Sequence, residues 1–340
     1  MIGRRQEDIN ATCGYIKPFS GGRVNKSQTS SGSSSRMEFT VALNTPFSLE
    51  HTLGSGQLFR WERRGEWWFG VVSGAGFKVR QEGDTLRCSS GSDLVDNTFV
   101  TNYFRLDEDL DHILASIAKD EEITKAIEKF YGLRLVRQDP WECLGSFVLA
   151  TNANIPRIKK MVSSVCSRYG EPTQFEGDTY HAFPNPEILS KASVPDLRGL
   201  GLGYRAPFLK HVAKSVAEGK VDFSRMPSLS YDKSQELLLT ELFGEKLLLG
   251  VGPKVADCVL LYSLGKDEAF PIDVWIARVL AKSYPHLLPK SLRSRLLADL
   301  KFKLSIQEYR RASSSIRSHF GMFAGYAQQY LYMAAREDSV

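Results

Sequence analysis

Two neighbouring stretches decide the fold: residues 247–258 read LLLGVGPKVADC, and residues 270–275 read FPIDVW. An apolar run, a Gly-Val-Gly turn and a helix start with proline together predict a helix-hairpin-helix. Gly250 and Gly252 would let the backbone approach a partner closely, because neither carries a side chain. Backbone amides at such a turn point outward, so the stretch is suited to bind an anion or a DNA phosphate.

A glycine turn before a helix also occurs in dinucleotide-binding folds, where a β-strand precedes the glycines. Here the preceding residues are rich in leucine and look helical, at 237–239, 242–243 and 247–249. The sequence therefore disfavours a dinucleotide site.

Lys254 and Asp273 carry the chemistry that these stretches suggest. Lys254 opens the second helix of the hairpin, where the positive end of the helix dipole is expected to lower the pKa of its amine. A Schiff-base nucleophile requires such a neutral amine. Asp273 lies 19 residues later and is predicted to cap the helix that starts at Val274, with amide hydrogen bonds that keep its carboxylate ionised. Taken alone, a lysine at a helix start such as Lys254 is more often a solvated surface residue, and an N-capping aspartate such as Asp273 is more often purely structural.

The periodicity of the chain divides it into three parts. Residues 1–36 form a basic, Ser/Gly-rich tail without apolar periodicity and are expected to be disordered. Residues 37–110 predict a small antiparallel β-sheet domain whose aromatic residues belong to the core. Residues 111–340 show helical apolar stripes and predict an all-helical domain that contains the hairpin, so the fold class is α+β. The expected strands lie at 39–43, 58–61, 67–72 and 77–80.

Composition excludes several function classes. The chain has 340 residues, 42% of them apolar, which is enough for two domains. Its five cysteines include no CxxC pair and its six histidines no HxH or HxxxH group, so neither an iron–sulfur cluster nor a catalytic metal is expected. The tail carries four of the five net positive charges, so net charge does not identify the partner. No apolar run suits a membrane helix, and we expect an intracellular protein.

Together, the hairpin, Lys254 and Asp273 resemble the signature of the helix-hairpin-helix DNA glycosylases, and within these the chain is similar to the 8-oxoguanine DNA glycosylase/AP lyases. The resemblance covers residues 39–335. It implies a bifunctional enzyme of base excision repair that excises 8-oxoguanine opposite cytosine through a lysine Schiff base and then cleaves the strand by β-elimination. The agreeing blocks are GSGQLFRW at 54–61, QDPWEC at 138–143, TNANIPRI at 151–158, DTYHAFP at 178–184, LGLGYRA at 200–206 and FAGYAQQYLY at 323–332.

The resemblance also implies roles for single residues. Lys254 is the nucleophile, and Asp273 stabilises positive charge at the sugar. The implied pocket for the extruded base uses the carbonyl of Gly56 to accept the N7 proton of 8-oxoguanine, Cys258 and Tyr332 to enclose the ring, and Gln328 to read its Watson–Crick edge.

On the DNA, Asn152 is implied to fill the space left by the base, Tyr204 to wedge the duplex, and Arg157 and Arg205 to hold the unpaired cytosine. From the residues alone, the plainer interpretations are a helix cap, a buried aromatic side chain and two solvent-facing charges. Trp275 departs from the family, because many eukaryotic members have a histidine there that contacts a phosphate.

The implied partner is double-stranded DNA that contains 8-oxoguanine. We expect a monomer without membrane contact, located with the genome, in the nucleus or nucleoid. No cofactor is required, and the family implies a structural monovalent cation at the hairpin. Two alternatives stay open: a glycosylase of the same fold for another damaged or mispaired base, and a non-catalytic DNA-binding hairpin module.

Overall fold

The computed structural model describes residues 37–242, 245–299 and 304–337; the predicted tail at 1–36 lies outside them. The described strands are β1 Met37–Ala42, β2 Glu62–Arg64, β3 Trp67–Val72, β4 Ala75–Glu82, β5 Thr85–Ser90, β6 Pro172–Phe175, β7 Asp178–His181, β8 Glu241–Leu242 and β9 Glu245–Lys246. The described α-helices are α1 Leu49–Gly54, α2 Asn97–Tyr103, α3 Leu110–Ile117, α4 Glu121–Lys129, α5 Pro140–Leu149, α6 Ile155–Tyr169, α7 Pro186–Lys191, α8 Val194–Leu197, α9 Ala206–Ala217, α10 Tyr231–Leu239, α11 Pro253–Ser263, α12 Val274–Ser283, α13 Lys290–Ala298, α14 Ile306–Phe320 and α15 Ala324–Glu337. None of these helices is long and apolar enough to span a membrane.

The first five strands form one antiparallel sheet in the order β1-β5-β4-β3-β2. The predicted strands near 39–43, 67–72 and 77–80 are confirmed as β1, β3 and β4. The prediction for 58–61 is wrong, because these residues form a loop after α1. Leu58, Phe59 and Trp61 are apolar because the loop is buried. The run is therefore a core feature without being a strand.

The sheet has one face packed on the core and one partly covered face. Phe77 and Val79 are buried on the inner face, as the alternating pattern predicts. Lys78, expected to face water, is also largely covered, since it pairs with Glu176 at 2.9 Å and lies 4.7 Å from the ring centroid of Trp67. The turn between β6 and β7 supplies this cover.

The helical part confirms the predicted apolar stripes on α4 and α6, whose apolar faces are buried. Two small β-hairpins, β6–β7 and β8–β9, interrupt it. The second corrects a prediction: residues 247–249 form a turn, and β8–β9 separates them from α10. The cause is Thr240, which ends α10 in an extended conformation and accepts a hydrogen bond from the amide of Leu247 at 3.0 Å.

Gln57 fixes the loop after α1 against the helical part. Its buried amide donates to the carbonyl of Arg134 at 2.8 Å and accepts from the amide of Val136 at 3.0 Å, while Gln138 donates to the carbonyl of Gln57 at 2.9 Å. A buried amide satisfied on both sides holds a chain segment in one place. The neighbouring Gly56 is therefore held in a defined position.

Candidate active site

Lys254 lies in the first turn of α11, where Gly252 is the N-cap and Pro253 the first helical residue. Its ammonium nitrogen Nζ is 4.9 Å from the ring centroid of Phe147. Burial favours the neutral amine, but Cys258, Asp273 and Tyr332 outweigh burial, so the pKa of Lys254 is raised above its ordinary value. The prediction of a lowered pKa is therefore wrong for the free protein, because the nearby acidic groups outweigh the effect of burial.

Asp273 is one of the acidic groups around Lys254, and Cys258, whose pKa burial raises to about 11, is another. Asp273 caps α12 as predicted: its Oδ1 accepts hydrogen bonds from the amides of Trp275 at 3.0 Å and Ile276 at 2.9 Å. Burial raises the pKa of Asp273, while these amides and the charge of Lys254 oppose that rise. The cap uses only Oδ1 and leaves Oδ2 for the site.

The four predicted base-pocket residues lie around this pair. Gly56 has a φ of +83°, and a Cβ on it would lie 3.5 Å from Cε1 of Tyr332. Tyr332 interacts electrostatically with Asp273, and burial raises the pKa of its hydroxyl. Gln328 is buried and donates to the carbonyl of Pro271 at 3.1 Å, two residues before Asp273. The structure thus brings a loop of the sheet, α11, α12 and α15 together.

Three of the predicted DNA-contacting residues form one cluster. The amide of Asn152 donates to the hydroxyl of Tyr204 at 2.9 Å, and that hydroxyl donates to the carbonyl of Thr151 at 3.0 Å. Arg205 donates to the same carbonyl at 2.8 Å, and its guanidinium carbon is 4.4 Å from the Tyr204 ring centroid. Arg157 is exposed on α6 beside the cluster.

These contacts test the plainer interpretations of the same residues, namely a helix cap, a buried aromatic side chain and two solvent-facing charges. Tyr204 is exposed, so its interpretation as a buried aromatic side chain is wrong. The cap of α6 is Asn154, and Asn152 has a strained φ of +51°, so a helix cap at Asn152 is wrong. Arg205 is buried with its guanidinium on backbone carbonyls, which corrects the solvent-facing interpretation, while Arg157 does face solvent.

The two hairpin glycines differ in their surroundings. Gly250 has a φ of +85°, and a Cβ there would lie 2.7 Å from the ring of Phe208. Gly252 has an ordinary φ of −111°, and a Cβ there would meet nothing within 4 Å. The first glycine fits a backbone and a contact that a side chain would strain, and the second leaves an open surface at the start of α11.

Sequence reasoning missed four residues that complete the pocket: Tyr262, Gln329, Ile155 and Arg336. The hydroxyl of Tyr262 donates to Gln329 at 2.7 Å and to Gln328 at 3.3 Å, and Gln329 donates to the carbonyl of Ser55 at 3.1 Å. Tyr262 follows Cys258 by four residues on α11, so helical spacing from Lys254 could have found it. Nothing in the local sequence marks Ile155 or Arg336.

Two other features lie outside this site. A cleft of about 840 Å³, lined by residues that include Tyr231, Tyr309 and Arg317, does not contain Lys254. Across 37–242, 245–299 and 304–337, no group of three or more histidine, cysteine or acidic residues is arranged to hold a metal ion.

The fold and site define a helix-hairpin-helix protein of DNA base excision repair, and residues 146–293 match the family model described as the HhH-GPD superfamily base excision DNA repair protein. Residues 40–144 match the model described as the 8-oxoguanine DNA glycosylase N-terminal domain. The chain belongs to the 8-oxoguanine DNA glycosylase family of this superfamily.

Relatives and solved structures agree with this assignment. The chain is 30% identical over 286 residues to a probable N-glycosylase/DNA lyase of Methanothermobacter thermautotrophicus, covering 77% of this chain and 83% of the relative. The apo crystal structure of the Clostridium acetobutylicum 8-oxoguanine glycosylase/lyase superposes with a TM-score of 0.75 at 28% identity, over 87% of this chain and 95% of that one. The same clostridial enzyme with double-stranded DNA containing cytosine opposite 8-oxoguanine gives a TM-score of 0.72 at 28% identity, over 86% and 93% of the chains.

Proposed function

We propose that the protein is a bifunctional DNA glycosylase/AP lyase that excises 8-oxoguanine opposite cytosine from duplex DNA. The observation that carries the proposal is that Lys254 and Asp273, both partly buried, interact electrostatically next to Gly56, Gln328 and Tyr332. Charge interaction is strong where water is largely excluded, so each group affects the charge of the other. A non-catalytic hairpin module needs neither group.

The reaction requires a damaged nucleotide to leave the duplex, which costs a few kcal/mol. Phosphate contacts at the hairpin amides and insertion of Asn152 and Tyr204 would offset this cost. Insertion exchanges the hydrogen bond between these two side chains for contacts with DNA. Arg157 and Arg205 would face the cytosine left behind, with Arg205 held in place by backbone carbonyls.

Chemistry begins when Lys254 loses its proton. Its nitrogen attacks C1′ as the bond to the base breaks, and the base leaves with the electron pair and takes up a proton. Asp273 stabilises the positive charge that develops at the sugar. The C1′–O4′ bond then breaks, the ring oxygen takes up a proton released by the amine, and an imine to Lys254 remains. Removal of a proton from C2′ expels the 3′ phosphate with the electron pair of the C3′–O bond, which cleaves the strand. Water finally hydrolyses the imine and releases the enzyme.

The proposal also covers the cofactor, the oligomeric state and the cellular location. No cofactor enters these steps. Backbone carbonyls at the hairpin turn would hold a monovalent cation against a phosphate. The enzyme works as a monomer on genomic DNA, in the nucleus or the nucleoid according to the cell.

Borohydride trapping tests the proposal. Duplexes with 8-oxoguanine opposite each of the four bases are incubated with the protein and borohydride, which reduces the imine to a stable cross-link. We expect cross-linking to be fastest opposite cytosine and absent in Lys254→Gln. The matched control is Lys282→Gln, an exposed lysine on α12. Cross-linking by Lys254→Gln, or excision by the wild type without any cross-link, would contradict the lysine mechanism.

A further inference from the structure

Arg336 lies at the edge of the base pocket and has no role in the reaction described above. It follows Tyr332 by one helical turn on α15, and its guanidinium carbon is 5.5 Å from the Tyr332 ring centroid. Its Nη1 is 3.5 Å from the carbonyl oxygen of Gly54 and 3.1 Å from the place a Cβ on Gly56 would take. A guanidinium can stack on an aromatic ring and donate to a carbonyl at the same time.

Arg336 thereby links two parts of the pocket that come from opposite ends of the chain. The loop at 54–56 belongs to the sheet, whereas Tyr332 belongs to the last described helix. Gln329 holds the carbonyl of Ser55 from the same helix, at 3.1 Å. Because Arg336 takes the carbonyl of Gly54, the two preceding carbonyls of the loop are both engaged from α15, and that of Gly56 is left for a ligand.

Arg336 also lies near a second cation at the edge of the pocket. Lys159 donates to the carbonyl of Trp61 at 3.0 Å and lies near enough that Arg336 affects its charge. Burial chiefly, and the positive charge of Arg336, lower the pKa of Lys159, against the opposing effect of Glu62. Two cations held close together repel each other.

We propose that Arg336 is a positioning residue of the base pocket, which holds the Tyr332 ring and the 54–56 loop in a fixed relation and so sets the preference for 8-oxoguanine. The inference rests on the proposed function. Guanine lacks the N7 proton that the Gly56 carbonyl would accept, so recognition depends on one hydrogen bond while the ring stacks on Tyr332. Such a bond weakens steeply outside a narrow range of distance and angle. Loss of the link between ring and loop would thus reduce recognition of the damaged base.

Two substrates distinguish a role of Arg336 in base recognition from a general role in DNA binding or in the fold. One duplex carries 8-oxoguanine opposite cytosine, and the other carries a preformed abasic site opposite cytosine, which has no base to recognise. Single-turnover rates and substrate affinity are measured for the wild type, Arg336→Met and Arg336→Lys. The matched control is Arg168→Met, because Arg168 is exposed on α6 and its guanidinium carbon is 5.6 Å from the ring centroid of Tyr169, away from the pocket.

We expect Arg336→Met to lower the excision rate about tenfold, and about five times more than it lowers cleavage at the abasic site. Arg336→Lys should lie between Met and wild type, since lysine keeps the charge but not the planar face. Arg168→Met should behave as wild type.

Two results would overturn the inference: unchanged excision in Arg336→Met, or an equal loss on both substrates, which would place Arg336 on a phosphate or in the fold. If the wild type cleaves abasic sites but leaves 8-oxoguanine intact, the proposed substrate itself is wrong, and the inference falls with it.

Discussion

Alanine at Gly250 should mainly destabilise the fold, whereas alanine at Gly252 should mainly weaken DNA binding. In Gly250→Ala, the left-handed backbone at a φ of +85° costs about 1–2 kcal/mol for a residue with a side chain. The new Cβ would also lie 2.7 Å from the ring of Phe208, and such overpacking costs about 1–3 kcal/mol. Since Phe208 is partly exposed and can shift, we expect a total loss of about 2–4 kcal/mol in the free energy of unfolding.

Gly252→Ala should leave the fold nearly intact. Its φ of −111° is ordinary and its Cβ would meet nothing within 4 Å, so only the weaker N-cap preference of alanine remains, about 0.5–1 kcal/mol. The same open space is where a DNA phosphate would approach the amides of α11. Loss of a close contact to a charged phosphate should weaken DNA binding about tenfold.

The assay pairs thermal unfolding with fluorescence anisotropy on a duplex that contains an abasic-site analogue, at one fixed salt concentration. With about 0.7 kcal/mol per degree for a chain of this length, Gly250→Ala should lower the Tm by about 3–6 °C and Gly252→Ala by about 1 °C. The reasoning fails if Gly252→Ala lowers the Tm as much as Gly250→Ala does, or if it binds the duplex as tightly as wild type.

Three further predictions concern charge and backbone strain. Because the pKa of Lys254 is raised and only the neutral amine attacks, the rate of imine trapping should rise between pH 6 and 9; a flat profile would contradict the charged resting state. The pKa of Asp257 is raised to about 6, chiefly by burial, and so exceeds the unfolded value near 3.9; its contribution to stability is therefore full in acid and falls by about 3 kcal/mol as the pH rises from about 3 to 7. Asp257→Asn should flatten this part of a Tm–pH profile, and an unchanged slope would exclude Asp257 as its source. Asn152→Gly should be about 1 kcal/mol more stable than Asn152→Ala in chemical unfolding, because glycine relieves the φ of +51°, whereas both should lose excision equally; equal stability would argue against strain at this residue.

The fold was largely predictable because its signals are local. The alternating pattern of β4, the apolar stripes of α4 and α6 and the cap at Asp273 all follow from spacings of a few residues. The β8–β9 hairpin was missed because its short strands lie among leucines, whose local pattern also suits a helix. Only the extended Thr240 ends α10 there.

The sequence predicted which residues form the site, but it predicted their charge and burial less well. The charge of Lys254 depends on Asp273 and on burial, which are tertiary features that no spacing reveals. Likewise, Arg205 looks like a surface charge in the sequence, yet it is buried because the carbonyls of Thr151 and Asn152 satisfy its guanidinium. Arg336 went unnoticed for the same reason, since the loop carbonyl that it approaches, that of Gly54, is 282 residues away in the sequence.

Helix α9 (Ala206–Ala217) connects two parts of the DNA surface. Tyr204 and Arg205 directly precede its first turn, Phe208 packs beneath Gly250, and Ser215 donates to the carbonyl of Leu247 at 2.7 Å. The ring centroids of Tyr204 and Phe208 lie 6.0 Å apart, so the first turn of α9 couples the wedge to the phosphate-binding turn. A change that displaced Phe208 would therefore shift the two contacts relative to each other on the duplex, even with every contacting residue intact.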